Sequence, residues 1–162
     1  MSNALSFPNP TMPIGSNSNS KLANSIWDLI SQVPERLYDS SLGWGKRKIL
    51  DELSSVFEES CKAGWDGQEA IPVSSETLRL AEIFLLALPD DLPFPSPGAE
   101  PDGQITFEWY TSKSRIISIS IDPQSKLHYA ALIGPSKAYG TERFYDQIPE
   151  GILRLIRRVA NN

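Results

Sequence analysis

The spacing of apolar residues changes twice along the chain. Up to about residue 88 they recur at intervals of three and four, the signature of one helix face. From residue 105 to 133 they alternate, the signature of a strand with one buried side. Helical spacing then returns at the end. Helices, strands and a closing helix, in that order, predict an α+β domain. The expected architecture is an antiparallel meander of three to four strands packed against helices, in one domain spanning residues 22–162.

Individual elements follow from this pattern. Leu22, Ile26, Leu29, Ile30 and Val33 predict a short helix closed by Pro34. Gly43 and Gly45 read as a break before a longer helix at about 46–62, whose stripe is Ile49, Leu50, Leu53, Val56, Phe57 and Cys61. Gly64 suits the left-handed residue after its end. Ser74 is a good N-cap for a helix over 75–88. Leu78, Ala81, Phe84, Leu85 and Leu88 mark one face of that helix, and Leu80, Ile83 and Ala87 cover much of the rest. Such a helix is expected at the centre of the core.

The segment PDDLPFPSPGAEPDG is too rich in proline for a central strand and reads as an extended connection. Ile105, Phe107 and Trp109 then point to one side, as do Ile117, Ile119 and Ile121, and Leu127, Tyr129, Ala131 and Ile133. The links TSKS and DPQSK suit hairpins. A fourth strand is expected around 137–144, and a terminal helix buries Ile148, Ile152, Leu155, Ile156 and Val159. Matching the apolar faces fixes the pairing parity, since a one-residue slip turns every side chain over. One register sets Phe107 beside Ile119 and Ile119 beside Tyr129. The opposite face then carries Thr106, Ser120 and His128 in a row, with Glu108 next to Ser118.

Composition narrows the function classes. The net charge is -5, whereas nucleic-acid binders usually carry a clustered basic excess, so a nucleic-acid partner is not expected. The chain has one cysteine, Cys61, and one histidine, His128. An intramolecular structural zinc site needs four such ligands, and a disulfide needs two cysteines. Neither a phosphate-loop spacing nor a calcium-loop pattern occurs, and no metal or cofactor is expected. No apolar run approaches the ~20 residues of a membrane span. Residues 1–21 are rich in Asn, Ser and Pro and read as a disordered arm, without the basic and apolar regions of a signal peptide. A cytoplasmic protein without a membrane partner is the default expectation.

The loop AGWDGQEAIPVS, residues 63–74, supports two readings. In one, Gly64 ends a helix, Asp66 and Gly67 turn the chain, and Pro72 and Ser74 start the next helix. Trp65 then wedges between the helices, its N–H on a carbonyl, and Asp66 accepts loop amides. In the other, Trp65 is an exposed anchor with Asp66 and Glu69 as charged contacts. A second candidate lies on the sheet. Ser120, His128 and Glu108 invite a triad reading, but no strained nucleophile turn and no oxyanion hole accompany them. Tyr110, Ile116 and Leu132 would form an apolar patch beside this row, either covered by the first helix or used for binding. Arg154, Arg157 and Arg158 form a basic stripe on the last helix. They suit its C-terminal dipole or an acidic partner.

GWDGQEAIPVS resembles a group of small bacterial proteins that share G-W-D-G-x-x-A-x-P-[VI]-S. The later PDGQITFEWY, the hairpin and IPEGILRLIRRV are similar to that group as well, over roughly residues 60–160. The resemblance implies a recurring domain and carries over no catalytic residue. The group's look of accessory genes in mobile or defence regions implies antitoxin, immunity or inhibitor roles. The expected function is therefore non-enzymatic, stoichiometric binding of a protein partner. Candidate contacts are Trp65, Asp66, Glu69, Tyr110, Ile116, Leu132, Arg154, Arg157 and Arg158. The alternatives are an enzyme with its site around Ser120, His128 and Glu108, or a module for a small ligand or nucleic acid.

Overall fold

The computed structural model describes residues 41–161. The expected arm at 1–21 and the helix expected over Leu22 to Val33 lie outside the described residues. Within them the chain forms helix α1 (Ser41–Ser60), helix α2 (Ser75–Ala87), strands β1 (Ser96–Ala99), β2 (Ile105–Ser112), β3 (Arg115–Ile121), β4 (Lys126–Ile133) and β5 (Ser136–Arg143), and helix α3 (Glu150–Ala160). The strands form one antiparallel sheet in the order β1-β2-β3-β4-β5. The α+β expectation holds, and the strand count rises to five. The added strand comes from the proline-rich connection. Pro97 of β1 lies opposite Phe107, and proline is tolerated there because β1 is an edge.

The register is the one that matched faces demand. Phe107 lies opposite Ile119, Ile119 opposite Tyr129, and Ser120 opposite His128. The inner face carries Ile105, Phe107, Ile117, Ile119, Ile121 and Leu127, all with no exposed surface. Helices α2 and α3 cover this face. Phe84 of α2 stacks on Phe107 with ring centroids 5.3 Å apart and meets Phe144 edge-on at 5.7 Å. Ile152, Ile156 and Val159 of α3 are buried, and Thr111 Oγ1 donates to the Val159 carbonyl at 2.8 Å. That bond supplies one of the donor partners that the last carbonyls of a helix lack internally.

The break expected at Gly43 and Gly45 is absent: both lie inside α1. Gly45 serves a contact instead of a turn. A Cβ there would stand 2.4 Å from Phe94 Cε2, so only glycine lets this ring lie against the helix. Cys61 falls just past the end of α1, half-buried, with Sγ donating to the Glu58 carbonyl at 3.5 Å. Ser74 caps α2 as expected, its side chain accepting from the Thr77 amide at 3.1 Å. No helix of the described residues is long and apolar enough to cross a membrane.

Candidate functional site

The tryptophan loop is held together from within. Gly64 takes the left-handed conformation at φ 70°, and its amide donates to the Ala70 carbonyl at 2.9 Å. Trp65 is half-buried and its Nε1 donates to the Ile71 carbonyl at 3.3 Å. Asp66 Oδ1 accepts from the amides of Gln68 at 2.8 Å and Ala70 at 3.2 Å. The Gly67 amide donates to the Gly64 carbonyl. Trp65 and Asp66 are thus occupied by the loop that carries them; Asp66 and Glu69 are exposed, and Trp65 is half-buried.

The basic stripe divides. Arg157 Nε lies 3.5 Å from Asp91 Oδ2, and Nη1 lies 3.7 Å from Glu150 Oε1. Exposed pairs of this kind contribute little stability, but they compensate the charge. Arg154 and Arg158 are exposed, while the Arg158 carbonyl accepts from Arg115 Nη2.

Parity sends the other half of each strand to the outer face, where three rows cross the sheet. The first runs Tyr110, Ile116, Leu132, Lys137. The second runs Glu108, Ser118, Ala130, Tyr139, and the third Thr106, Ser120, His128, Thr141. The candidates Tyr110, Ile116 and Leu132 therefore lie side by side. Tyr110 is 59% exposed and Tyr139 82%, whereas Ile116 and Leu132 are half-buried among their neighbours. Two depressions of about 330 Å³ each share Tyr139, Ser118 and Ala130 as wall. The apolar one is completed by Ile116, Ala131, Leu132, Lys137 and Ala138, the polar one by Ser120, His128, Tyr129, Gly140 and Thr141.

The triad candidates do not assemble. His128 is paired with Ser120 in register, yet its ring nitrogens bond elsewhere. Nε2 lies 3.0 Å from Asp122 Oδ2, and Nδ1 lies 3.0 Å from Thr141 Oγ1. Ser120 Oγ donates to Thr106 Oγ1 at 3.3 Å, and Thr106 Oγ1 meets Ser118 Oγ at 3.0 Å. Glu108 stands exposed beside Ser118, away from the imidazole. What forms instead is a chain from carboxylate to imidazole to hydroxyl: Asp122, His128, Thr141. Asp122 was legible only as the first residue of a hairpin link.

Asp122 is buried, 7% exposed. Burial opposes its ionisation, but hydrogen bonds from His128 and from the amides of Lys126 and Gln124 outweigh it, and the carboxyl titrates below its ordinary value of 3.8. The two amide bonds measure 3.0 and 2.9 Å. With the carboxylate ionised, a neutral imidazole donates from Nε2 and leaves Nδ1 to accept the Thr141 hydroxyl proton. Among the described residues no group of three or more His, Cys, Asp or Glu side chains is placed to hold a metal ion. Exposed aromatics that the sequence did not single out include Tyr139 and Trp44, the latter 74% exposed on α1.

The chain defines an α+β domain with one sheet face packed by helices and one carrying an aromatic and hydroxyl-rich surface. No family model, curated protein or solved structure matches it.

Proposed function

We propose that this protein acts by stoichiometric binding of a protein partner, through the outer face of the sheet. The observation that carries this is the composition of that face. Across the three rows the central strands present Tyr, Ile, Leu, Ala, Ser, Thr and His with Glu108 as the one acid; Lys137 closes the first row, and the pair Lys126 and Arg143 lies beyond the third. A sheet face meant only for water is usually studded with Lys and Glu. Interfaces are depleted in both and enriched in aromatic side chains, with hydroxyls supplying adaptable hydrogen bonds. The apolar depression beside Tyr139 would take a partner's apolar side chain, and the polar row would flank it. An antitoxin, immunity or inhibitor role accords with the resemblance of the GWDGQEAIPVS segment, and acts by occlusion without chemistry.

The test is affinity isolation from the source cells, with Ile116→Glu and Tyr110→Ala beside the wild type, both first shown to be folded. One partner at stoichiometric yield, lost in the folded variants, supports this function. Equal recovery by all three proteins moves the contact off the sheet.

One observation favours a second, hydrolytic reading: the order carboxylate, imidazole, hydroxyl in Asp122, His128 and Thr141. Thr141 Oγ1 would add to an acyl carbon while His128 Nδ1 takes its proton; His128 would pass that proton to the departing alcohol or amine as its bond to the acyl carbon breaks, leaving an acyl-threonine for water to hydrolyse. Thr141 is exposed on an edge strand, and the adjoining depression is open rather than enclosed. Covalent labelling of Thr141 by an organophosphonate, abolished in His128→Ala, would establish it. No labelling at Thr141 removes it.

A further inference from the structure

We propose that the outer edge of β5, which no described residue pairs, pairs with β5 of a second copy of this chain, forming a two-fold dimer with one sheet running through both subunits. The two-residue turn at Gly134 and Pro135 closes on Ile133 opposite Ser136. In such a hairpin the closing pair exchanges both main-chain hydrogen bonds, and the alternation then repeats along the ladder. The main-chain groups of Ser136, Ala138, Gly140 and Glu142 therefore point into the sheet. Those of Lys137, Tyr139 and Thr141 point away from β4, to the open edge. Among the described residues no backbone hydrogen bond reaches that edge.

The two edges of the sheet differ in a telling way. β1 has four residues and contains Pro97, which blunts pairing. β5 has eight residues, no proline inside it and no register shift against β4. An edge of that length and regularity is a template for another strand.

Self-pairing has a preferred register. Residues opposed across an antiparallel pair share a face, so the outer faces of both copies must coincide. Setting Tyr139 against Tyr139 on the two-fold axis places Lys137 against Thr141, and Ala138 against Gly140. Shifting by two residues toward the C-terminal end sets Lys137 against Arg143 twice, a like-charge opposition that disfavours that register. The tyrosine-centred register forms roughly six main-chain hydrogen bonds. It also joins the apolar depressions of the two copies across the axis, because Tyr139 lines each. The contact is small, so the dimer is expected to be weak, with dissociation in the micromolar range. This proposal rests on the β5 edge and stands apart from the identity of any other partner.

The test uses the full chain in sedimentation equilibrium between about 1 and 200 μM, a range that brackets weak interfaces. The wild type should pass from monomer to dimer. Tyr139→Lys sets two ammonium groups against each other and should weaken association at least about tenfold. Tyr139→Pro removes an outward N–H and leaves the β4 ladder intact, so it should give a folded monomer. A third variant reads the geometry directly. In a Cys61→Ala background, Tyr139→Cys should oxidise to a disulfide dimer, since opposed Cα atoms lie about 5.5 Å apart in such pairs. Tyr110→Cys in the same background should not. A monomer at every concentration, a dimer unaffected by both Tyr139→Lys and Tyr139→Pro, or no disulfide at position 139 overturns the proposal.

Discussion

His128 Nε2 lies 3.0 Å from the buried carboxylate of Asp122, across the loop that joins β3 to β4. The same carboxylate accepts the amides of Gln124 and Lys126 through its other oxygen. One side chain thus closes the loop and orients the only imidazole in the chain. Asp122→Ala leaves both amides without their acceptor. It should cost about 1–3 kcal/mol in urea unfolding, and should free the His128 ring from its fixed orientation.

The pH dependence has a defined sign. The folded carboxyl of Asp122 titrates below its ordinary value of 3.8. Its contribution to stability is therefore complete above about pH 5. It is lost as pH falls through the folded value. Unfolding midpoints of wild type and Asp122→Asn should differ by a constant amount above that pH and converge under acid. A gap that widens on acidification would show that the carboxylate is not favoured by folding.

Gly45 and Phe94 should respond to mutation as a pair. Alanine is the better helix former by about 1 kcal/mol, yet its Cβ would stand 2.4 Å from Phe94 Cε2. Gly45→Ala should destabilise by about 1–3 kcal/mol despite its propensity gain. Adding Phe94→Leu should recover part of the loss, which a double-mutant cycle in denaturant measures directly.

Trp65 and Asp66 should act as structure. Asp66→Ala removes the acceptor of two loop amides and should cost about 1–2 kcal/mol. Trp65→Phe loses the bond to the Ile71 carbonyl and should cost about 0.5–1.5 kcal/mol. Both variants, once folded, should keep partner binding, read by isothermal titration with the isolated partner. Loss of binding in folded Trp65→Phe would return the loop to the interface.

Much of this was legible in the sequence because burial on one face forces parity. Once Ile117, Ile119 and Ile121 are inside, Ile116, Ser118 and Ser120 must be outside, and the neighbouring rows follow. The capping of α2 by Ser74 was legible for the same kind of reason, a local bond between near neighbours. Three features were hidden. β1 was masked because Pro97 is acceptable only on an edge, and edge position is a property of the whole sheet. Gly45 looked like a break because its partner Phe94 lies far along the chain. The Asp122, His128 and Thr141 chain escaped because it joins a loop residue to two strands, and no spacing rule encodes that. The carboxylate of the triad reading was Glu108, which lies next to Ser118 as expected; the one at the imidazole is Asp122.

The binding role of the outer face is tested most directly by position-dependent photo-crosslinking in the source cells. A photoreactive phenylalanine replaces Tyr110 or Leu132 on that face, or Glu58 on the exposed side of α1 as the control. The outer-face positions should each give one discrete adduct with the same protein, the control none, and adding Ile116→Glu should abolish both adducts. Adducts of equal yield from Glu58, or none from Tyr110 and Leu132, would contradict a partner seated on this face.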